Sequence, residues 1–153
     1  MTNKERLESI NLVLPKAPNP VGAYLGYKKV GNLVFISGQV SFKDNGSLIK
    51  GKLGSDLTLE DGQEAAYACA INIVSQIKSA CEGDLNKVKN CIKITGFVNS
   101  SDTFIDQPKV INSASELLVK IFGESGMHSR AAISVNSLPL GAAVEIEAIF
   151  EVH

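Results

Sequence analysis

The 153-residue sequence predicts an α+β fold in which one mixed β-sheet carries two helices on a single face. Three features lead there. Two long segments place apolar residues at steps of three and four, as amphipathic helices do. Five shorter segments alternate in polarity or are rich in β-branched residues, as strands are. Their order along the chain is β-β-α-β-α-β-β, and stacking both helices on one side of the sheet is the economical way to bury their apolar stripes.

Residues Thr2 to Ile10 can open the chain with a short helix, because Thr2 followed by Glu5 has capping-box spacing. The stretch LPKAPNPVG then brings Pro15, Pro18 and Pro20, which end any helix and complete residues 1–20 as an extended surface arm. From Gly22 to Gly38 comes β material: AYLGYKKV, a Gly31-Asn32 turn, then LVFISG, two runs that pair as a hairpin. SFKDNGSLIKGKLGSD is polar and glycine-rich, a loop holding at most a small strand.

Thr58 is a good N-cap, and Asp61 sits in the first turn of the helix that follows. Ala66, Cys69, Ala70, Ile73, Val74, Ile77 and Cys81 fall on one face of it, and Gly83 ends it. Lys89 to Val98 reads as a strand. Pro108 suits the first turn of a second helix, whose apolar face is Val110, Ala114, Leu117, Leu118 and Ile121, and Gly123 stops it. Two last strands near Arg130–Val135 and Ala143–Val152 read as a hairpin about a Leu138-Pro139 turn. No repeat or second domain is visible, so residues 1–153 are expected to form one domain.

Bulk properties exclude several classes. A chain of this length buries roughly 70% of its extended surface and needs no staples. A formal net charge of −1 gives no general attraction to nucleic acid or to anionic membranes. No segment approaches the roughly 18 consecutive apolar residues of a membrane span. MTNKERLESI is too charged for the apolar centre of a secretion signal, so a cytoplasmic location is expected. Cys69, Cys81 and Cys91 are odd in number and form no C-x-x-C pair, and read as reduced thiols.

The final strands carry the chemistry of interest. In the last one Val144, Ile146, Ala148, Phe150 and Val152 share the face that meets the helices, and Glu145, Glu147, Ile149 and Glu151 point the other way. In the preceding strand Arg130, Ala132 and Ser134 share one face, and Ala131, Ile133 and Val135 the other. This parity puts Arg130 and Glu145 together on the side away from the helices, with Ile149, Ala132 and Ala143 making that side mixed in character. Two readings stand: scattered charges on a solvated sheet face, or the two halves of a site for a small anion.

S-R-x(7)-L-P-x(4)-V-E-I-E-A, from Ser129 to Ala148, closely resembles the C-terminal signature of the reactive intermediate deaminase family, RidA, formerly YjgF. Gly22-Ala23-Tyr24 resembles that family's G-P-Y, Phe35-Ile36-Ser37-Gly38-Gln39 its strand ending S-G-Q, and Ile111-Asn112 its asparagine-bearing helix. The likeness runs from about Pro15 onward and is greatest to a longer branch that keeps the arginine. Ala23 stands in place of the family's proline, Ala132 in place of a frequent cysteine, and Asn112 lies one residue further from the arginine.

The resemblance implies a chorismate-mutase-like fold, a homotrimer with sites in the clefts between subunits, and hydrolysis of 2-imino acids to 2-keto acids and ammonia without metal or organic cofactor. It implies that Arg130 holds the substrate carboxylate, which suits a rigid, permanently charged fork. It assigns Glu145 to the attacking water, and Tyr24, Ser37 and Asn112 to the cleft wall.

Two other functions remain open at this point. Some relatives are labelled ribonucleases or translation inhibitors, but this chain has six phenylalanines, three tyrosines, no tryptophan and no basic excess with which to build a stacking groove. A non-catalytic protein that binds a keto acid would use the same arginine. Cys69 and Cys81 read as small core residues. His128 reads as a turn or cap residue with no metal-ligand spacing around it.

Overall fold

The computed structural model describes residues 1–153. Its helices are α1 (Asn3–Ser9), α2 (Leu59–Ala80) and α3 (Gln107–Phe122). Its strands are β1 (Tyr27–Val30), β2 (Leu33–Val40), β3 (Val88–Asn99), β4 (Ser129–Val135) and β5 (Val144–Val152). The expected α+β class and element order are what the structure shows. One five-stranded sheet runs β1-β2-β5-β3-β4, with β3 and β4 parallel and every other pair antiparallel.

Local chemistry accounts for the element ends. Thr2 with Glu5 and Thr58 with Asp61 both form reciprocal capping boxes at helix starts. Pro108 lies in the first turn of α3, and Gly123, at φ 62, closes it with an N–H donated to the Val119 carbonyl. Gly31, at φ 58, takes the first position of the two-residue turn between Val30 and its partner Leu33, as a type II′ hairpin requires. Regular pairing begins at Tyr27 rather than Gly22; Gly22 to Gly26 form bends that continue the proline-rich arm.

The hairpin expected between the last two strands does not form. β3 lies between β4 and β5, and β4 is an edge strand paired only with β3. The chain goes from β3 through α3 to parallel β4, the βαβ arrangement, and returns to β5 across the end of β3. Asn99 fastens this crossing loop: its backbone N–H donates to Ala143 and its side-chain amide to Ala142. Lys52 Nζ bonds both the Asn99 side chain and the Asn136 carbonyl.

The core lies between the sheet and α2 with α3. Val34, Ile36, Ile94, Val98, Ile146 and Phe150 from the strands meet Ile73, Ile77, Ile111, Leu118 and Phe122 from the helices. Each such side chain contributes about 1.5–3 kcal/mol on burial. Phe122 and Phe150 stack edge to face with centroids 5.7 Å apart. Cys69, Cys81 and Cys91 are all buried. The opposite face of the sheet is uncovered: Leu33, Phe35 and Ile133 are 38%, 42% and 47% exposed.

Candidate active site

Glu145 lies on the uncovered face. It pairs with Phe97, which in turn pairs with Ile133, and residues paired across strands share a face. A β-bulge in β2 shapes its surroundings. Ile36 pairs with Ala148 and Gln39 with Ile146, so Ser37 and Gly38 together oppose Glu147 alone. The extra residue turns Gln39 toward the core and brings the backbone of Gly38 against Glu145; a Cβ there would lie 2.9 Å from Glu145 Oε2.

Tyr24, Ser37, Gly38, Leu140 and Glu145 line one cavity of about 420 Å³. Ser37 anchors the arm to β2. Its hydroxyl donates to the Leu25 carbonyl at 2.6 Å and its N–H to the Gly26 carbonyl at 3.0 Å, which fixes the stretch bearing Tyr24. Leu140 sits at φ 60, a left-handed conformation that a leucine adopts at a cost of about 1 kcal/mol, and is 69% exposed at the rim. Partial burial raises the Glu145 pKa, and the Glu147 charge beside it raises it further.

Arg130 points elsewhere. It pairs with Ile94, a fully buried core residue, so its side chain leaves the sheet on the helix side. There it lies along α3, donating from Nη1 to Ser115 Oγ at 3.1 Å and from Nη2 to the Pro108 carbonyl at 3.3 Å. None of the ion pairs involves it. Ser115 also meets His128 Nε2 at 2.9 Å, and His128 Nδ1 meets the Gly126 carbonyl at 2.6 Å. Arg130, Ser115 and His128 line a cavity of about 550 Å³.

The structure thus corrects the parity argument: Arg130 and Glu145 of one chain occupy opposite faces of the sheet. Ala132 and Ala143 are also absent from the uncovered face, for Ala132 pairs with Gly96 beneath α3 and Ala143 is fully buried. Tyr24, Ser37 and Glu145 come together, and Arg130 stands apart with Ser115 and His128. Asn112 is exposed beside Gln63 and Lys109 on the outer side of α3, and its cavity shares only Glu116 with that of Arg130. Ser115 was missed. The signal for it is its spacing of seven from Pro108, which places both on the α3 stripe that runs beside β4.

The arrangement offers an unpaired guanidinium on one surface and a carboxylate with an elevated proton affinity in a cavity on another. It offers no activated thiol: burial raises the pKa of Cys69 and pushes that of Cys91 up to about 12. No three His, Cys, Asp or Glu side chains converge as metal ligands would. No helix is long and apolar enough to cross a membrane.

Residues 4–151 match the family described as "YjgF/chorismate_mutase-like, putative endoribonuclease". Protein TCP17 of Trypanosoma cruzi is 43% identical over 148 residues, 96% of this chain and 92% of its own. A 2-iminobutanoate/2-iminopropanoate deaminase of Dermatophagoides farinae is 27% identical over 88% of this chain and 90% of its own. The crystal structure of an Agrobacterium tumefaciens protein of unknown function is 39% identical, covering 99% of this chain and 94% of its own with a TM-score of 0.90. With its sheet, its helices and almost its full length accounted for in this way, the chain belongs to the YjgF/chorismate-mutase-like family, the family of RidA.

Proposed function

We propose that this protein hydrolyses small 2-imino acids to 2-keto acids and ammonia, at sites shared between copies of the chain in a cytoplasmic homotrimer. One observation carries the reading. Arg130 is held in place by two neutral oxygens, Ser115 Oγ and the Pro108 carbonyl, and no carboxylate neutralises it. A guanidinium fixed in that way, with its charge open, is a receptor for a carboxylate. Because Arg130 and Glu145 of one chain face away from each other, the proposed site takes Arg130 from one copy and Glu145 with Tyr24 from the next. The uncovered apolar sheet face, with Phe35 and Ile133 upon it, supports association between copies. A relative named as a deaminase supports the reaction.

In the proposed reaction Arg130 binds the carboxylate of the protonated imine. Glu145, whose raised proton affinity suits a general base, takes a proton from water as its oxygen adds to C2. The resulting carbinolamine receives that proton on nitrogen; its C–N bond then breaks as the C2 hydroxyl gives its proton back to Glu145, leaving the C2 carbonyl, and Glu145 passes this proton to the departing ammonia. Water and iminium ion are consumed; keto acid and ammonium are released. The electrophile is reactive from the start, so positioning and one base are enough.

The test generates 2-iminobutanoate in situ with a dehydratase and follows its loss. Wild-type protein should accelerate hydrolysis. Arg130→Ala should not, and should weaken 2-oxobutanoate binding about a hundredfold. Binding of 2-oxobutanoate without acceleration would make the protein a keto-acid binder. Metal-free RNA cleavage lost with Arg130→Ala would favour the ribonuclease label that the family carries.

A further inference from the structure

The Arg130 side chain ends a chain of hydrogen bonds whose direction can be worked out atom by atom. The Gly126 carbonyl can only accept, so His128 Nδ1, 2.6 Å away, carries the proton and donates. In the neutral ring Nε2 is then an acceptor, and the Ser115 hydroxyl, 2.9 Å away, donates to it. That leaves the Ser115 oxygen with its lone pairs free, and Arg130 Nη1 donates to them at 3.1 Å. The order is Arg130 to Ser115 to His128 to the Gly126 carbonyl, each link fixing the orientation of the next. Its far end is firm: Gly126 is buried in the 3₁₀ turn Gly123–Gly126, where a Cβ would lie 2.5 Å from the Leu118 carbonyl oxygen.

We propose that Ser115 and His128 are positioning residues, which orient the Arg130 fork for bidentate capture of the substrate carboxylate. This rests on the reading of Arg130 as the carboxylate anchor. Without the relay, Arg130 keeps only the Pro108 carbonyl, at 3.3 Å. A free hydroxyl at Ser115 could rotate to donate toward Arg130, which it cannot usefully do, or toward water; His128 removes that freedom. The relay aims the guanidinium in the free protein and the complex alike, so its loss should act on substrate affinity and leave the chemical step unchanged.

The chemistry of side chains gives a discriminating series. Ser115→Ala deletes the acceptor for Arg130. His128→Gln can present an amide oxygen near the Nε2 position and keep the bond from Ser115, whereas His128→Asn reaches only the Nδ1 position. Isothermal titration with 2-oxobutanoate and steady-state imine hydrolysis are the readouts, with thermal unfolding as a check on the fold. Ser115→Ala and His128→Asn should each raise Kd and KM about five- to tenfold with kcat unchanged. Their combination should be no worse than either alone, because both break one chain. His128→Gln should stay within twofold of wild type. Wild-type affinity in Ser115→Ala and His128→Asn, with Arg130→Ala unable to bind, would overturn the relay and leave the anchor standing. Wild-type affinity in Arg130→Ala would overturn both.

Discussion

At Glu145 burial and the neighbouring Glu147 act in the same direction, and both favour the protonated form. The folded chain therefore binds this proton more tightly than the unfolded chain does. Stability declines as pH rises through the interval between the ordinary glutamate pKa and the raised one. Glu145→Gln removes the charge and keeps the shape. It should unfold at a higher temperature than wild type at pH 7, with the difference closing below about pH 4, where both states are protonated. Imine hydrolysis should lose its rate on acidification through a pKa above the ordinary glutamate range, and in Glu145→Gln it should be slow at every pH. Strand parity put Glu145 on the face away from the helices, and no more than that; its place in a cavity appears only once the β2 bulge and the arm bearing Tyr24 are set beside it. The contact of Ser115 with Arg130 was not legible, because a serine in the middle of a helix has no pattern of its own and acquires a partner only when β4 is placed beside α3.

At the scale of the element, the bulge in β2 is what brings backbone to carboxylate. Gly38→Ala tests it. The added methyl would meet the end of a flexible side chain rather than backbone, so the fold should hold to within about 1 kcal/mol. The Glu145 carboxylate must move, and the rate of hydrolysis should drop tenfold or more while 2-oxobutanoate still binds. A crystal structure of the variant with Glu145 unmoved would count against this.

Both long helices were legible in the sequence because start and stop signals agree with the period, Thr58 and Asp61 opening α2 and Pro108 and Gly123 bounding α3. The last pair of strands was not. Leu138-Pro139 has the look of a hairpin turn, and nothing local records that β3 has inserted between the strands it joins. The same omission misdirected the parity of β4. An edge strand only partly roofed by α3 carries Ala132 and Ser134 toward the helices and Ile133 away from them, so polarity no longer tells inside from outside.

For the whole molecule, the fold class followed from element order, since two helices and five strands leave few ways to bury a common core. What a single sequence withholds is the copy number in which that core is used. The exposed Leu33, Phe35 and Ile133 on the uncovered face are where the proposed association would act. Sedimentation of the purified protein should show three copies per particle, and Phe35→Glu should dissociate it and abolish hydrolysis. If Arg130 is the anchor and Glu145 the base, as proposed, their position on opposite faces of one sheet has a genetic consequence. A chain lacking Arg130 still carries a sound Glu145, and a chain lacking Glu145 still carries a sound Arg130. If the two inactive variants are unfolded together and refolded as a mixture, about one contact in four joins the intact half of each, and about a quarter of wild-type activity should return. Two dead alleles in one cell would then complement each other.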